Sequence, residues 1–273
     1  MEQSRSKQVF SFLLTVMIFH VVTYFIFGFL ASSILKYQVL FEMPIIKEYY
    51  KPFGSVSTVF GPMIQILRGL LIGLVLLPFK KLLEDSKNGW VYIWMIFVGV
   101  GILGTPAAAP SSIEGIVYSR IPLWFHAIGF PEILLQTLVF SMLVHNKISP
   151  HKLIASEKSK AVLRAVSTAC ISFIGYTVVS IAFALLAKAK ISESSADLRV
   201  LGQFALPLLA SFIVALIPSG RIFWLKHLFL YAVSASALML YQSLMLGEGN
   251  WIYSIAAPVI PVAISAILLK PKP

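Results

Sequence analysis

The strongest constraint on this chain is a series of long apolar runs that extends along its whole length. An α-helix needs about 20 predominantly apolar residues to cross the hydrocarbon core of a bilayer. Eight runs reach or approach that length, at 9–33, 56–79, 90–107, 121–144, 162–187, 200–218, 222–246 and 251–269. We therefore expect an all-α fold: a polytopic integral membrane bundle of about eight transmembrane helices.

The composition excludes several classes of protein. Of the 273 residues, 58% are hydrophobic and only 12% are charged, whereas soluble domains contain about 25% charged residues. So few charges cannot cover a water-facing surface, which excludes a soluble enzyme, a secreted disulfide scaffold and a disordered chain. The first apolar run is also longer than the roughly 7 to 15 apolar residues of a signal peptide, so we expect it to be an uncleaved first helix.

The spacing of the runs leaves no room for a separate soluble domain. We expect a single membrane domain over 1–273, made of a first four-helix set (1–146), a basic connection (147–164) and a second four-helix set (165–273). The second set has no charge at mid-membrane but many small and hydroxyl residues, which allow helices to pack closely. This pattern favours a packing scaffold.

Lysine and arginine are unevenly divided between the two sides of the eight-helix arrangement. If the N-terminus is cytoplasmic, that side carries fourteen of them: Arg5, Lys7, Lys80, Lys81, Lys87, Lys147, Lys152, Lys158, Lys160, Arg164, Arg221, Lys226, Lys270 and Lys272. The opposite side carries seven: Lys36, Lys47, Lys51, Arg120, Lys188, Lys190 and Arg199. Because cytoplasmic loops are enriched in positive charge, we predict that both termini are cytoplasmic, in the cell membrane (plasma or inner).

One basic residue, Arg68, falls near the middle of the second span. A charge at that depth costs about 2.5 to 3.5 kcal/mol on insertion scales and normally faces a partner inside the bundle. Glu132, at the middle of the fourth span, is the candidate partner for an ion pair. Gln65 and Gln136 lie one helical turn away from these charges and on the same faces.

His20 lies at a similar depth in the first span, and imidazole titrates near neutral pH. It could therefore join a polar cluster of Arg68, Glu132 and the two glutamines, which we predict to be substrate-binding. A structural histidine and a purely structural ion pair are the alternatives.

The segment 104–122 breaks helical periodicity yet is mostly apolar. It fits a re-entrant or interfacial loop that places Glu114 and Arg120 beside the mouth of the polar cluster, as further substrate-binding residues. A plain connecting turn is the alternative. Ser111 and Ser112 also resemble a helix cap, which would start a short surface helix.

The sequence contains none of the common catalytic motifs. It has no paired aspartate cluster, Gly-x-Ser-x-Gly, His-Glu-x-x-His or glycine-rich phosphate loop. We expect no metal and no cofactor, although His145 and His227 could hold a haem between two helices. The net charge of +11 is spread over short loop clusters, so the lipid bilayer is the expected partner and nucleic acid is not.

Three functions remain compatible with the residues. The leading hypothesis is a transporter or permease-like protein whose polar cluster moves a small anionic or amphipathic solute, or protons. The second is an intramembrane enzyme that acts on a lipid-like ligand, with Glu132 or His20 as acid or base. The third is a non-catalytic membrane subunit of a larger complex, held by a partner chain.

Overall fold

The structure, a computed structural model, describes residues 2–53, 55–154, 156–187, 198–218, 220, 222–247 and 249–270. Over these residues the secondary structure is helical, with no β-strand. Of the cations in the orientation prediction, Lys188, Lys190, Arg221 and Lys272 lie outside the described residues, as does the side chain of Arg5.

The first half of the chain begins with one long helix, continues through short ones and ends with a second long helix. In chain order these are α1 (Glu2–Ile34), α2 (Tyr37–Leu40), α3 (Ile46–Tyr49), α4 (Val56–Val59), α5 (Gly61–Leu76), α6 (Lys80–Asp85), α7 (Gly89–Met95), α8 (Ile113–Tyr118) and α9 (Leu123–Ile148). A 3₁₀ turn (Leu77–Phe79) joins α5 to α6, and a π-helical segment (Ile96–Leu103) continues α7.

The second half of the chain consists mainly of longer helices. They are α10 (Glu157–Leu186), α11 (Leu198–Gly202), α12 (Ala205–Leu216), α13 (Phe223–Tyr241), α14 (Trp251–Ala256) and α15 (Val259–Leu269). A π-helical segment (Gln242–Leu246) extends α13.

Seven continuous helical stretches in the described residues are long and apolar enough to cross a membrane. They are Ser6–Ile34, Gly61–Asp85, Leu123–Ile148, Glu157–Leu186, Arg199–Leu216, Phe223–Leu246 and Trp251–Leu269. The predicted third span corresponds to Gly89–Leu103, which is shorter than 18 residues. The helical membrane bundle is confirmed, whereas eight full-length helices are not found among the residues that the structure describes.

The chain divides into two compact units, one made of 1–53 and 64–154 and the other of 54–63 and 155–273. In the first unit, α1 packs against α5 through glycines. A Cβ on Gly69 would lie 2.8 Å from Cα of Met17, and one on Gly73 would lie 3.0 Å from Cδ2 of Leu13. Gly69 and Gly73 are four residues apart, which is the small-residue spacing that lets membrane helices approach closely.

The segment from Gly89 to Ser111 packs antiparallel along α9. Gly89 lies against the His145 ring near the end of α9, the Trp94 indole donates to the carbonyl of Leu134 (3.2 Å), and the Ser111 amide donates to Nδ1 of His126 near its start (2.9 Å). The short Gly89–Leu103 helix and the loop after it together run along most of α9.

In the second unit, α10 packs against α12 and α15. Gly175 lies against Pro261, since a Cβ there would come within 3.2 Å of the proline nitrogen. Tyr176, Phe204 and Leu238 are buried together in the core of this unit. The apolar interior therefore contains aromatic as well as aliphatic side chains.

Polar side chains form a hydrogen-bonded network in the second unit. The Gln242 amide donates to Oε1 of Gln203 (2.9 Å), and the Oε1 atom of Gln242 accepts from the Asn250 amide (3.1 Å). These bonds hold the turn after α13 against the end of α11. The sequence analysis did not single out Gln203 or Gln242, because an isolated glutamine in an apolar run gives no sign of its hydrogen-bond partner.

Candidate functional site

A partly open cavity of about 430 Å³ lies inside the first unit. Its volume falls within the roughly 300 to 1,000 Å³ typical of small-molecule sites. Charged, amide and phenol groups share its wall with apolar side chains. The polar lining side chains include Tyr24, Tyr37, Tyr50, Arg68, Glu132 and Gln136.

Glu132 is held by a residue that the sequence analysis did not consider. The Tyr37 hydroxyl donates a hydrogen bond to Oε2 of Glu132. The other carboxyl oxygen of Glu132, Oε1, faces Gly28 of α1. It lies 3.9 Å from the position that a Cβ on Gly28 would take. Helix α9 therefore supplies the carboxyl group, and α1 and α2 fix its position.

Local backbone geometry brings Tyr37 to this position. Lys36, directly before α2, adopts a left-handed conformation with φ 51°, which interrupts the helical path between α1 and α2. Burial, together with the hydrogen bond to Glu132, raises the pKa of Tyr37 above its ordinary value near 10. The phenol thus stays protonated at physiological pH and acts as the donor in this bond.

Three stacked rings form an aromatic wall of the cavity. Tyr37 stacks on Phe41 with ring centroids 4.9 Å apart, and Phe41 stacks on Tyr50 at 4.7 Å. Burial raises the pKa of Tyr50 as well, with smaller effects of Tyr49 and Glu132. The wall therefore consists of neutral aromatic groups at physiological pH.

The predicted ion pair between Arg68 and Glu132 is not formed. In the described part of the chain, side chains within 4 Å of an opposite charge are Lys80 with Glu84 and Lys160 with Glu157. Arg68 is an exposed side chain on the cavity wall. Arg68 and Glu132 thus line the same cavity without direct contact, because Tyr37 and the α1 surface hold the carboxyl group in place.

The rest of the predicted cluster divides into two parts. Gln136 lines the cavity one turn after Glu132. Gln65 is buried and its Oε1 lies 3.0 Å from Nε2 of His20, which is only 4% exposed. Neither Gln65 nor His20 is among the residues that line this cavity; they bridge α1 and α5 instead.

The structure does not bring Glu114 and Arg120 to the wall of this cavity, since neither is among its lining residues. The Ser112 hydroxyl accepts a hydrogen bond from the Gly115 amide (2.8 Å) and caps α8. Glu114 therefore lies in this short helix, and Arg120 lies two residues after its end. The alternative of a capped short helix is confirmed.

The residues that face the cavity from this segment are Thr105, Ala109, Pro110 and Ser111. Ser111 has a φ of 65°, and its hydroxyl donates to the His126 carbonyl (3.0 Å) in addition to the amide bond to Nδ1. His126 is 4% exposed. The role of His126 is to fix the loop that forms one wall of the cavity. The position of His126 in the sequence relative to Glu132 did not indicate this role.

Two other histidines contact backbone carbonyls, one on a distant segment and one on its own helix. His145 lies 3.2 Å from the Leu83 carbonyl, and His227 lies 2.7 Å from the Phe223 carbonyl. No group of three or more His, Cys, Asp or Glu residues suited to a metal ion occurs in the described ranges.

Lys226, which the sequence analysis counted on the cytoplasmic side, lies within the predicted span 222–246 and is buried. The residue belongs to α13 and is 5% exposed. Its Nζ donates to the carbonyls of Ile217 (2.9 Å) and Val214 (3.3 Å). The lysine therefore satisfies carbonyls at the C-terminal end of α12, which have no intrahelical donors.

Comparison with known proteins does not add a family to these observations. No protein-family model, curated protein or solved structure matches the chain. The cavity and its lining residues are therefore the features of the molecule that bear on its function.

Proposed function

We propose that this protein is transporter-like or permease-like and binds a small amphipathic solute in the cavity of the first unit. The observation that carries the proposal is a cavity of small-molecule size whose wall combines Arg68, Glu132 and Gln136 with an aromatic stack. Ionisable residues within membrane helices commonly mark solute or ion pathways. Apolar walls with a few convergent polar groups are typical of ligand sites.

The test is uptake by proteoliposomes that contain the purified full-length protein. The probe is an equimolar mixture of amino acids, organic acids and organic amines, quantified inside the vesicles by mass spectrometry. We expect at least one solute to accumulate above the level in protein-free vesicles. Equal levels for every solute would reject the transport proposal.

Two glycine variants show whether the cavity carries the activity. Gly129 lines the cavity, so Gly129→Leu fills part of the space without removing a polar group. Gly99 is the matched control, since a Cβ there would have no neighbour within 4 Å and the residue does not line the cavity. We expect uptake to be lost in Gly129→Leu and retained in Gly99→Leu.

An enzyme that acts on a lipid-like substrate is the second candidate. The Tyr37–Glu132 hydrogen bond favours it, because a phenol joined to a carboxyl group can transfer protons. Mass spectrometry of the vesicle lipids in the same experiment would detect a chemically changed lipid. Accumulation of an unchanged solute with intact lipids supports transport instead.

A further inference from the structure

We propose that the ligand of this cavity is a zwitterion, with its cationic group at Glu132 and the aromatic stack and its anionic group at Arg68. This inference rests on the proposed function, because it names the chemical class of the solute that the cavity binds. It starts from the observation that groups of opposite charge line one cavity but do not contact each other.

Two opposite charges that line one cavity within a membrane bundle have a strong reason to pair directly. Removal of charges from water is costly, and close contact with hydrogen bonds is what offsets that cost. Here the Glu132 carboxyl is tied to Tyr37 and packed against Gly28. The structure therefore holds the negative pole in place on the wall of the cavity that the guanidinium also lines.

The surroundings of Glu132 suit a cation. In the described part of the chain, no Lys, Arg or His lies within salt-bridge distance of its carboxyl group. The stack of Tyr37, Phe41 and Tyr50 forms the adjoining wall. Aromatic rings beside a carboxylate attract organic cations through the ring quadrupole and through charge.

The surroundings of Arg68 suit an anion. The Arg68 guanidinium has five N–H donors in a planar fork that matches carboxylate and phosphate groups. It lines the cavity and forms no ion pair with a described acidic residue. Gln136 supplies an amide that can hydrogen-bond to either pole of a bound solute.

A ligand with only one charge would leave the other protein charge unpaired. An anion at Arg68 adds negative charge near Glu132, and a cation at Glu132 adds positive charge near Arg68. A zwitterion neutralises both groups at once, which is the reason to prefer it. This chemistry occurs in free amino-acid-like solutes and in zwitterionic phospholipid headgroups.

The first experiment tests free solutes with the full-length protein in an uncharged maltoside detergent. L-Phenylalanine is the zwitterion, phenethylamine lacks its carboxylate and 3-phenylpropionate lacks its amine. Isothermal titration calorimetry gives the Kd of each. Each analogue loses one charge-assisted hydrogen bond, so we expect phenylalanine to bind at least about tenfold more tightly than either analogue.

Variants of the two charged residues assign each pole of the ligand. Glu132→Gln should bind 3-phenylpropionate as tightly as phenylalanine, and Arg68→Gln should bind phenethylamine as tightly as phenylalanine. Retained binding of one analogue shows in each case that the variant is folded. Glu114→Gln and Arg120→Gln are matched controls outside the cavity and should keep the preference for phenylalanine.

The second experiment tests lipid headgroups. Native mass spectrometry measures the retention of phosphatidylethanolamine and phosphatidylglycerol with identical acyl chains. Retention of the zwitterionic lipid that is lost in Arg68→Gln and Glu132→Gln, but not in the controls, assigns the site to a headgroup. A phenylalanine preference without such retention assigns it to a free solute.

The inference is overturned if neither experiment shows a preference for the zwitterion in the wild-type protein. It is also overturned if the preference persists in both Arg68→Gln and Glu132→Gln. The proposed function is judged separately, by uptake of the solute mixture. Uptake without any preference for zwitterions would leave transport standing and reject only the ligand class.

Discussion

The Tyr37 hydroxyl donates a hydrogen bond to Oε2 of Glu132, and this bond joins residues 95 positions apart in the sequence. It places the carboxyl group on the cavity wall and holds it apart from Arg68. Glu132 is therefore positioned by a neutral phenol, and its charge is left for a ligand. This arrangement gives the most direct test of the site.

Tyr37→Phe keeps the ring that stacks on Phe41 and removes only the hydroxyl. We expect ligand affinity to fall about threefold to tenfold, since a hydrogen bond contributes about 0.5 to 1.5 kcal/mol. The readout is the calorimetric Kd of phenylalanine. Tyr49→Phe is the control, because the Tyr49 hydroxyl bonds to the Ala108 carbonyl outside the cavity; equal loss in both variants would contradict a specific role for Tyr37.

Gly69→Ala should destabilise the first unit. The added Cβ would lie 2.8 Å from Cα of Met17, so α1 and α5 must move apart, at a cost of about 1 to 3 kcal/mol. The apparent Tm of the purified protein in detergent measures this effect. Gly61→Ala is the control on the same helix, because the new Cβ would have no neighbour within 4 Å. If the Tm of Gly61→Ala were as low as that of Gly69→Ala, close helix packing would not be the cause.

Lys226→Met should destabilise the second unit. It keeps most of the side-chain volume but leaves the carbonyls of Val214 and Ile217 without this donor, at a cost of about 1 to 3 kcal/mol. We expect a lower apparent Tm in thermal unfolding. The control, Lys158→Met, removes an exposed lysine from the start of α10 and should leave the Tm unchanged. An unchanged Tm in Lys226→Met would contradict the prediction and show that water or another side chain replaces the ammonium group.

The Gly89–Ser111 segment runs antiparallel alongside α9, and this packing predicts the topology of the first unit. Residues 126 and 145 of α9 are about 28 Å apart at 1.5 Å per residue, close to the thickness of the hydrocarbon core. We expect Lys87 and Tyr118, which flank the Gly89–Ser111 segment, to lie on opposite sides of the membrane. Both termini would then be on the same side, as the charge distribution predicts.

Cysteine labelling tests this arrangement. In a Cys170→Ser background, Lys87→Cys and Tyr118→Cys introduce thiols at exposed positions. A membrane-impermeant maleimide should label Tyr118→Cys in intact cells and Lys87→Cys only after permeabilisation. Labelling of both thiols from one side would mean that this segment does not cross the membrane.

The sequence by itself determined the class of the fold and the approximate position of its helices. Insertion of a helix into a bilayer depends on the apolar character of about 20 contiguous residues, which is a local property. Each predicted span therefore corresponds to a helical stretch, although Gly89–Leu103 is short. The cap at Ser112 was recognisable for the same reason, since its partner Gly115 is only three residues away.

Only the tertiary structure decided which polar groups meet. Helical periodicity places Gln65 near Arg68, and Gln136 near Glu132, but it does not fix how each helix is rotated about its axis relative to its neighbours. That rotation depends on close packing, here at Gly69 and Gly73 against α1. It turns Gln65 toward His20, and the left-handed Lys36 brings Tyr37 to Glu132. The carboxyl group therefore binds a distant phenol, and Arg68 lines the same cavity without forming an ion pair with it.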